Sequence, residues 1–283
     1  MDSELDDRLR LIRHVALDMD GTIYRGGTVF DFTNPFLTRL TELGIGYSFL
    51  TNNSSKSVDD YVQHLRNLGI NTSADQVYTS TQASIEFLRE EMPAVRRLFV
   101  LGTLSMRVEI EAAGFVLTAD DADDEPDAVL VGFDTDLNYT RLCRAAFWIA
   151  QGKPFLASHP DRVCPTDEPT VLVDCGAVCA ALSEATGRSP DAVLGKPDPR
   201  MLHGLLHRHG LEPASMAMVG DRLYTDIEMA RRTGAFGVLV LSGEATMDDI
   251  ATQPSLPDLV VSSIEDLGNK LAESRGANVL PAV

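Results

Sequence analysis

The chain has 283 residues, of which 44% are hydrophobic and 23% are charged. A chain of this length can form one large domain or two compact ones, because single cores stop growing at roughly 250 to 300 residues. The 42 acidic and 24 basic residues give a formal net charge of −18, which repels a nucleic acid backbone and excludes nucleic acid as an expected partner. An anionic small substrate would need a locally fixed cation, either a lysine or a metal ion.

The sequence shows neither a targeting segment nor a membrane anchor. The first residues, MDSELDDRLRLIRHV, contain no basic region followed by a long apolar stretch. The longest apolar runs, such as residues 236–241, are far shorter than the roughly 20 residues needed to span a bilayer. The four cysteines, Cys143, Cys164, Cys175 and Cys179, lack paired CxxC spacing. We therefore expect a cytoplasmic protein with no membrane partner.

Short apolar strands alternate with amphipathic helices along the whole chain. A helix with Asn34 as N-cap and Pro35 in its first turn follows the first strand, and Ser57 caps the next helix. Further helices are predicted at residues 105–113 and 140–151. The predicted strands are residues 15–17, 46–50, 98–101, 128–131, 155–157, 216–219 and 236–241. This alternation predicts an α/β fold with a doubly wound parallel sheet, and the middle of the chain repeats the pattern over enough residues for its own core.

Polar side chains stand where several of these strands end. They are Asp18, Asp20, Thr51, Asn52 and Asp221. In doubly wound sheets the ligand crevice lies outside the carboxyl ends of the strands, so residues distant in sequence can meet there. We therefore expect these side chains to converge.

The segment VALDMDGT places Asp18 and Asp20 one residue apart, before Gly21, which permits a tight turn. Burying two like charges costs several kcal/mol, so the pair is explained by a bound cation, by protonation of one carboxyl, or by both. Taken alone, the same residues are also a common turn sequence.

The segment FLTNNSS places Thr51, Asn52 and Asn53 after a buried strand. Their hydroxyl, amide and backbone N–H groups suit phosphate oxygens. The alternative is a polar turn that caps the next helix.

Two further segments offer a cation and a pair of acids. In LGKPDP, Lys196 stands between Gly195 and Pro197, which restrict its backbone, and its ammonium could neutralise phosphoryl charge. The alternative is an ordinary surface lysine. In MVGDRLYTDIEMA, Asp221 follows a strand and Asp226 opens the next helix, so that two acids offer hard oxygen ligands for Mg²⁺.

These four segments, in this order, resemble the signature motifs of the haloacid dehalogenase (HAD) superfamily of phosphohydrolases. The resemblance extends over nearly the whole chain to subfamily IIA, the NagD-like phosphatases, through TNNSSKS, CGAVCAALSEATGR, the GKPDP segment and VLSGEATMDDI. It implies a Rossmann-like HAD core formed by residues 1–85 and 191–283. It also implies an inserted α/β cap domain at residues 86–190, which selects the substrate.

The resemblance implies an Mg²⁺-dependent phosphatase that hydrolyses small phosphate monoesters, such as those of nucleotides, sugars or glycerol. Asp18 would be the nucleophile that forms an aspartyl-phosphate, and Asp20 the acid and base. Asp18, the backbone carbonyl of Asp20 and Asp221 would bind the metal, with Asp226 as a nearby carboxylate. The phosphoryl oxygens would be bound by Thr51, Asn52, Asn53 and Lys196.

The cap departs from the family pattern at two positions. In ASHPDR, His159 stands where relatives often carry Asn, and Asp174 precedes Cys175 and Gly176 where a proline or small residue is commoner. We hypothesise that His159 and Asp174 face the leaving group and that the acid disfavours carboxylated substrates. The alternative is a surface turn.

Two other functions compete with hydrolysis. A non-catalytic protein that binds a phosphorylated metabolite could use the same crevice, although it would not require both Asp18 and Asp20. A phosphotransferase or mutase would share the aspartyl-phosphate and pass it to a sugar. The expected partner is in each case a small phosphorylated metabolite, and the resemblance also implies a homodimer made through the cap.

Overall fold

The computed structural model describes residues 3–165, 170–251 and 256–277. The chain divides into two compact units. The first comprises Met1–Leu50, Leu65–Val77 and Leu202–Val283, and the second comprises Thr51–His64 and Tyr78–Met201. The domain bounds predicted from the sequence, 1–85 with 191–283 and 86–190, stay a prediction.

Strands and helices alternate along the described chain, as the sequence predicts. The strands are β1 His14–Asp18, β2 Tyr24–Arg25, β3 Thr28–Val29, β4 Gly46–Thr51, β5 Val77–Thr79, β6 Arg97–Leu101, β7 Val116–Leu117, β8 Ala128–Val131, β9 Phe155–Ala157, β10 Val163–Pro165, β11 Val171–Val173, β12 Ala192–Val193, β13 Met216–Gly220, β14 Phe236–Val240 and β15 Leu259–Val261. The α-helices are α1 Ser3–Leu11, α2 Thr33–Glu42, α3 Val58–Asn67, α4 Ser80–Glu91, α5 Leu104–Ala112, α6 Tyr139–Ala150, α7 Cys175–Thr186, α8 Arg200–His209, α9 Glu228–Thr233, α10 Met247–Ile250 and α11 Ile264–Ser274. All seven strands predicted above are present.

The start of α2 differs from the prediction. The helix begins at Thr33, and its N-cap is Phe32, which makes no side-chain capping bond. Asn34 therefore lies inside the first turn and is not the N-cap. The buried Thr33 hydroxyl donates a 2.6 Å hydrogen bond to the Ile23 carbonyl. This long-range contact fixes the helix start, so tertiary structure overrides the local capping preference.

The first sheet has six strands in the order β15-β14-β13-β1-β4-β5. The pairings from β15 through to β4 are parallel. β1 therefore lies between β13 and β4, with Leu17 opposite Val219 on one side and Asp18 opposite Leu50 on the other. On one side of β1 the strands run β4, β5 in chain order, and on the other side they run β13, β14, β15. The strand order therefore reverses at β1. Ligands bind at such a reversal in open α/β sheets.

The second sheet has five parallel strands in the order β12-β9-β8-β6-β7. Alternate residues of its central strands point to opposite faces, as the period of two in a strand requires. One face packs with buried residues of α4 and α5, and its strand residues are Leu98, Val100, Ala128, Leu130 and Leu156. The other packs with α6 and α7, and its strand residues are Phe99, Leu101, Val129, Val131, Phe155 and Ala157. Covering both faces explains why these strands are apolar at nearly every position.

The two parallel sheets with their helices confirm the predicted α/β class. Within the described residues, two short antiparallel pairs, β2 with β3 and β10 with β11, lie outside these two sheets. Within the three described ranges, no helix combines the length and the apolar character that crossing a membrane requires.

Candidate active site

Three carboxylates meet at the carboxyl ends of two neighbouring strands. Asp18 is the last residue of β1, and Asp221 follows directly after β13. Asp226 lies in a π-helical turn, Leu223–Ile227, a rare geometry that is frequent at functional sites. One oxygen of each carboxylate lies within 4.8 Å of the others. The parallel pairing of β1 with β13 thus brings together acids about 200 residues apart in sequence.

Glycines allow the backbone to approach these acids closely. Gly21 adopts a φ of +82°, which L side chains rarely adopt. A Cβ added at Gly21 or at Gly243 would lie well under 3.0 Å from the Asp221 carboxylate, and one at Gly220 would collide with Asp226 in the same way. Any side chain at these positions would displace the acid that it touches.

Asp20 is placed differently from the other predicted acids. Its side chain is exposed, and its Oδ1 accepts a hydrogen bond from the Gly26 N–H at 3.4 Å. The residue forms an isolated bridge with Tyr24, just beyond the end of β1. Its carboxylate is not a member of the three-acid group, and a metal contact through its backbone carbonyl stays a prediction. The catalytic role of Asp20 stays a prediction.

The electrostatics of the three acids fit a bound cation. Burial, together with the negative charges of Asp18 and Asp226, raises the pKa of Asp221 to about 7, although a bond from the Glu244 N–H opposes the rise. The Asp221 Oδ2 accepts that 2.7 Å bond, whereas its Oδ1 is buried without a hydrogen-bond partner. A divalent cation with oxygen ligands would satisfy this oxygen and neutralise the acids. The residues present therefore fit Mg²⁺.

Arg222 is a cation beside this group that sequence reasoning missed. Burial alone lowers the pKa of its guanidinium, but the charges of Asp18, Tyr224, Asp221 and Glu244 together raise it above its usual range. Its Nε lies 2.9 Å from Glu244 Oε2. The sequence feature that could have indicated this residue is its position directly after Asp221, in the segment GDR.

The segment after β4 folds into a tight polar turn. The Thr51 hydroxyl accepts a 3.1 Å hydrogen bond from the Asn53 N–H. The Asn53 Oδ1 in turn accepts bonds from the backbone and the hydroxyl of Ser55, at 2.9 and 2.6 Å. A phosphate-binding role for Thr51 and Asn53 stays a prediction.

Asn52 and Lys196 are joined by a paired amide contact. The Asn52 Oδ1 accepts a 2.7 Å bond from the Lys196 N–H, and its Nδ2 donates to the Lys196 carbonyl at 3.0 Å. Nδ2 also donates to Asp161 at 3.1 Å. Both amide hydrogens are therefore used within the protein, and a phosphate-binding role for Asn52 stays a prediction. Lys196 is itself buried and precedes a cis peptide bond to Pro197.

His159 and Asp174 lie in the interior of the second unit, so the surface-turn alternative is wrong. His159 is fully buried, and Asp174 is 3% exposed. His159 Nε2 lies 3.5 Å from Asp174 Oδ1, and the same acid caps α7 by accepting a 2.6 Å bond from the Cys175 N–H. The two side chains thus contact each other. A contact with a leaving group stays a prediction.

Family models and relatives agree on one superfamily. Residues 15–116 match the model of a haloacid dehalogenase-like hydrolase, and residues 193–267 match a HAD-hydrolase-like model. An acid sugar phosphatase of Staphylococcus aureus is 30% identical over 257 residues, which cover 91% of this chain and 96% of that protein.

Solved structures give the same result. A 4-nitrophenylphosphatase of Thermotoga maritima is 37% identical and superposes with a TM-score of 0.86 over 92% of this chain and 98% of that one. A glycerol phosphate phosphatase of Mycobacterium tuberculosis, solved with magnesium, is 28% identical with a TM-score of 0.84, over 97% of this chain and 81% of that one. The three-acid group, the fold and these likenesses agree, and the chain belongs to the NagD-like phosphatases, subfamily IIA of the haloacid dehalogenase superfamily, as a phosphoric monoester hydrolase.

Proposed function

We propose that this chain is an Mg²⁺-dependent phosphatase that hydrolyses small phosphate monoesters through an aspartyl-phosphate on Asp18. The observation that carries the proposal is the close group of the partly buried Asp18 with the buried Asp221 and Asp226, in which one Asp221 oxygen has no hydrogen-bond partner. Three acids held this closely need a cation or a proton to offset their charge. When bound, Mg²⁺ supplies charge neutralisation for the phosphoryl oxygens.

In the first step, an Asp18 carboxylate oxygen attacks phosphorus and the bond from phosphorus to the ester oxygen breaks. Asp20 gives a proton to the leaving oxygen, which departs as an alcohol. The exposed side chain of Asp20 suits a group that must reach a substrate. Thr51, Asn52, Asn53 and Lys196 hold the phosphoryl oxygens, and the Asn52 side chain also pairs with the Lys196 peptide group.

In the second step, water attacks the phosphorus of the aspartyl-phosphate while Asp20 accepts a proton from that water. The bond between phosphorus and Asp18 breaks, inorganic phosphate leaves, and both acids return to their first state. In this proposal Arg222 balances negative charge near Asp18 throughout the cycle.

The substrates that we propose are monoesters of sugars, glycerol and nucleotides. The names of two relatives, an acid sugar phosphatase and a glycerol phosphate phosphatase, support the sugar and glycerol esters. A cytoplasmic location and a homodimer formed through the cap belong to the same proposal.

The test is phosphate release from a panel of these esters and 4-nitrophenyl phosphate, with Mg²⁺ or with EDTA. Asp18→Asn should abolish release, whereas Asp120→Asn, a matched change at an exposed loop position, should leave it unchanged. Release in water enriched with ¹⁸O should place one ¹⁸O in the phosphate. Phosphate appearing on an added sugar would instead indicate a phosphotransferase, and release by Asp18→Asn at the wild-type rate would contradict the proposed nucleophile.

A further inference from the structure

His159 lies between two carboxylates in the interior of the second unit. Its Nδ1 is 3.6 Å from Asp161 Oδ2, and its Nε2 is 3.5 Å from Asp174 Oδ1. These distances are too long for hydrogen bonds but within ion-pair range. A neutral imidazole has one N–H and would turn a lone pair toward one of the acids, whereas an imidazolium presents an N–H to each. The arrangement therefore favours the charged ring.

A metal ion is the alternative to a proton at this position. His159, Asp161 and Asp174 each offer a ligand atom within 4.8 Å of the others. The two acids, however, lie against opposite nitrogens of one ring. An imidazolium presents an N–H to each acid without any further ion, whereas a bound metal would replace one of these protons, and removal of metal by EDTA separates the two cases.

Asp161 connects this ring to Lys196. The Asp161 oxygen that faces the ring also accepts the 3.1 Å bond from Asn52 Nδ2. Asn52 pairs through the rest of its amide with the backbone N–H and carbonyl of Lys196. A continuous chain of polar contacts thus leads from His159 through Asp161 and Asn52 to the Lys196 peptide group, and its members are all largely buried.

Close packing makes this chain rigid. A Cβ added at Gly195 would lie 2.5 Å from His159 Cβ and 2.6 Å from Asn52 Oδ1, so the backbone before Lys196 touches both residues. The Gly176 N–H donates a 2.7 Å bond to the Asp161 carbonyl, which ties the start of α7 to the same segment. Movement of Asp161 would therefore be transmitted to Lys196.

We propose that His159 is a positioning residue which, as an imidazolium held between Asp161 and Asp174, fixes Asp161 and Asn52 and so aligns Lys196 for the phosphoryl group. The inference rests on the proposed function, because it assigns a purpose to the alignment of Lys196. It gives His159 and Asp174 a role that does not require contact with the leaving group.

The surrounding charges agree with this assignment. Among the residues that the structure describes, Asp161, Asp174 and Cys175 are the titratable groups that act on the ring. Burial lowers the pKa of His159, but the Cys175 sulfur and the two acids outweigh it and raise that pKa to about 9. Burial in turn raises the pKa of Asp174, and the charge on His159 opposes that rise. The alignment of Lys196 for the phosphoryl group should therefore weaken as pH rises through about 9, because the His159 ring loses its second proton.

The first measurement is the charge state of the ring, by ¹⁵N NMR of the histidine-labelled protein. Among the six histidines, one is expected to keep both ring nitrogens protonated at pH 7.5 and to titrate near pH 9. Its signal should be missing in His159→Gln. A neutral His159 ring at pH 7.5, or a ring whose signal shifts when EDTA removes a bound metal, would overturn the proposal.

The second measurement is kcat/KM against pH for a preferred ester. The wild type should lose activity with the same pKa that NMR gives for His159. His159→Gln should have kcat/KM about tenfold lower at pH 7.5, since its charged contacts with Asp161 and Asp174 are lost, and it should show no loss near pH 9. His203→Gln, a matched change at an exposed position of α8, should follow the wild type.

The outcomes separate the two proposals. A folded His159→Gln with wild-type kcat/KM and an unchanged pH profile overturns the positioning role alone. A wild type that releases no phosphate overturns the proposed function, and with it the role. Should His159→Gln fail to fold, agreement between the NMR pKa and the wild-type kinetic pKa supports the role, and disagreement between them overturns it.

Discussion

Replacing Asp221 by Asn should stabilise the metal-free protein and at the same time remove its response to Mg²⁺. Burial, with the charges of Asp18 and Asp226, raises the pKa of Asp221 from 3.8 to about 7. The folded protein therefore holds a proton that the unfolded chain releases, so stability from this group falls as pH rises from about 4 to 7. Above pH 7, ionising Asp221 costs up to about 4 kcal/mol, at roughly 1.4 kcal/mol per pKa unit.

Asparagine avoids this cost without losing the local bond. Its side-chain oxygen can accept the 2.7 Å bond from the Glu244 N–H, and its NH₂ group can face the remaining acids. At pH 8 in EDTA, the unfolding free energy of Asp221→Asn should exceed that of the wild type by about 1 to 4 kcal/mol.

Urea unfolding at pH 8, with EDTA or with Mg²⁺, measures both effects. Mg²⁺ at 100 times its Kd should stabilise the wild type by about 2.7 kcal/mol and leave Asp221→Asn unchanged. Asp120→Asn should behave as the wild type does. The reasoning is refuted if Asp221→Asn is less stable than the wild type in EDTA, or if Mg²⁺ still stabilises it.

Urea unfolding tests three further predictions about the second unit. The pKa of His159 is raised from 6.5 to about 9, so its contribution to stability is complete below pH 6.5 and lost as pH rises through 9; a flat profile from pH 7.5 to 9.5 would contradict this. Gly195→Ala should cost about 1 to 3 kcal/mol through overpacking, while Gly27→Ala, with open space at its Cβ, should cost far less. Arg141 and Asp134 form a buried 2.7 Å ion pair, and Arg141→Met should cost about 3 to 5 kcal/mol, with much of it recovered on adding Asp134→Asn. If Arg141→Met costs less than about 1 kcal/mol, then leaving the buried Asp134 carboxylate without its cation is not destabilising, and the reasoning is contradicted.

The sequence predicted the elements whose residues are fixed by burial. Residues 128–131 and 155–157 form strands with the predicted bounds because both faces of the second sheet are covered, which leaves continuous apolar runs. The meeting of Asp18 and Asp221 was predictable for a similar reason. Both follow buried strands, and parallel strands bring their carboxyl ends to one edge.

Features that depend on long-range side-chain contacts were not predictable. The start of α2 is set by the bond from Thr33 to the carbonyl of Ile23, which lies outside the helix. The capping preferences of residues 32–35 do not predict that bond. The pairing of Asn52 with Lys196 joins residues 144 positions apart, so no sequence pattern could indicate it. Arg222 was overlooked because a basic residue after a strand is common, and its value comes only from the acids around it.

The pairing of β1 with β13 also has a consequence for how the protein is made. His14 pairs with Met216, so the two strands that carry Asp18 and Asp221 leave the ribosome about 200 residues apart. Contacts of such long sequence separation form late, because closing a large loop costs entropy before any contact repays it. We therefore expect the nascent chain to be unable to bind Mg²⁺ at these acids until the last quarter of the protein has been synthesised. Acquisition of tight metal binding would then report completion of the first sheet.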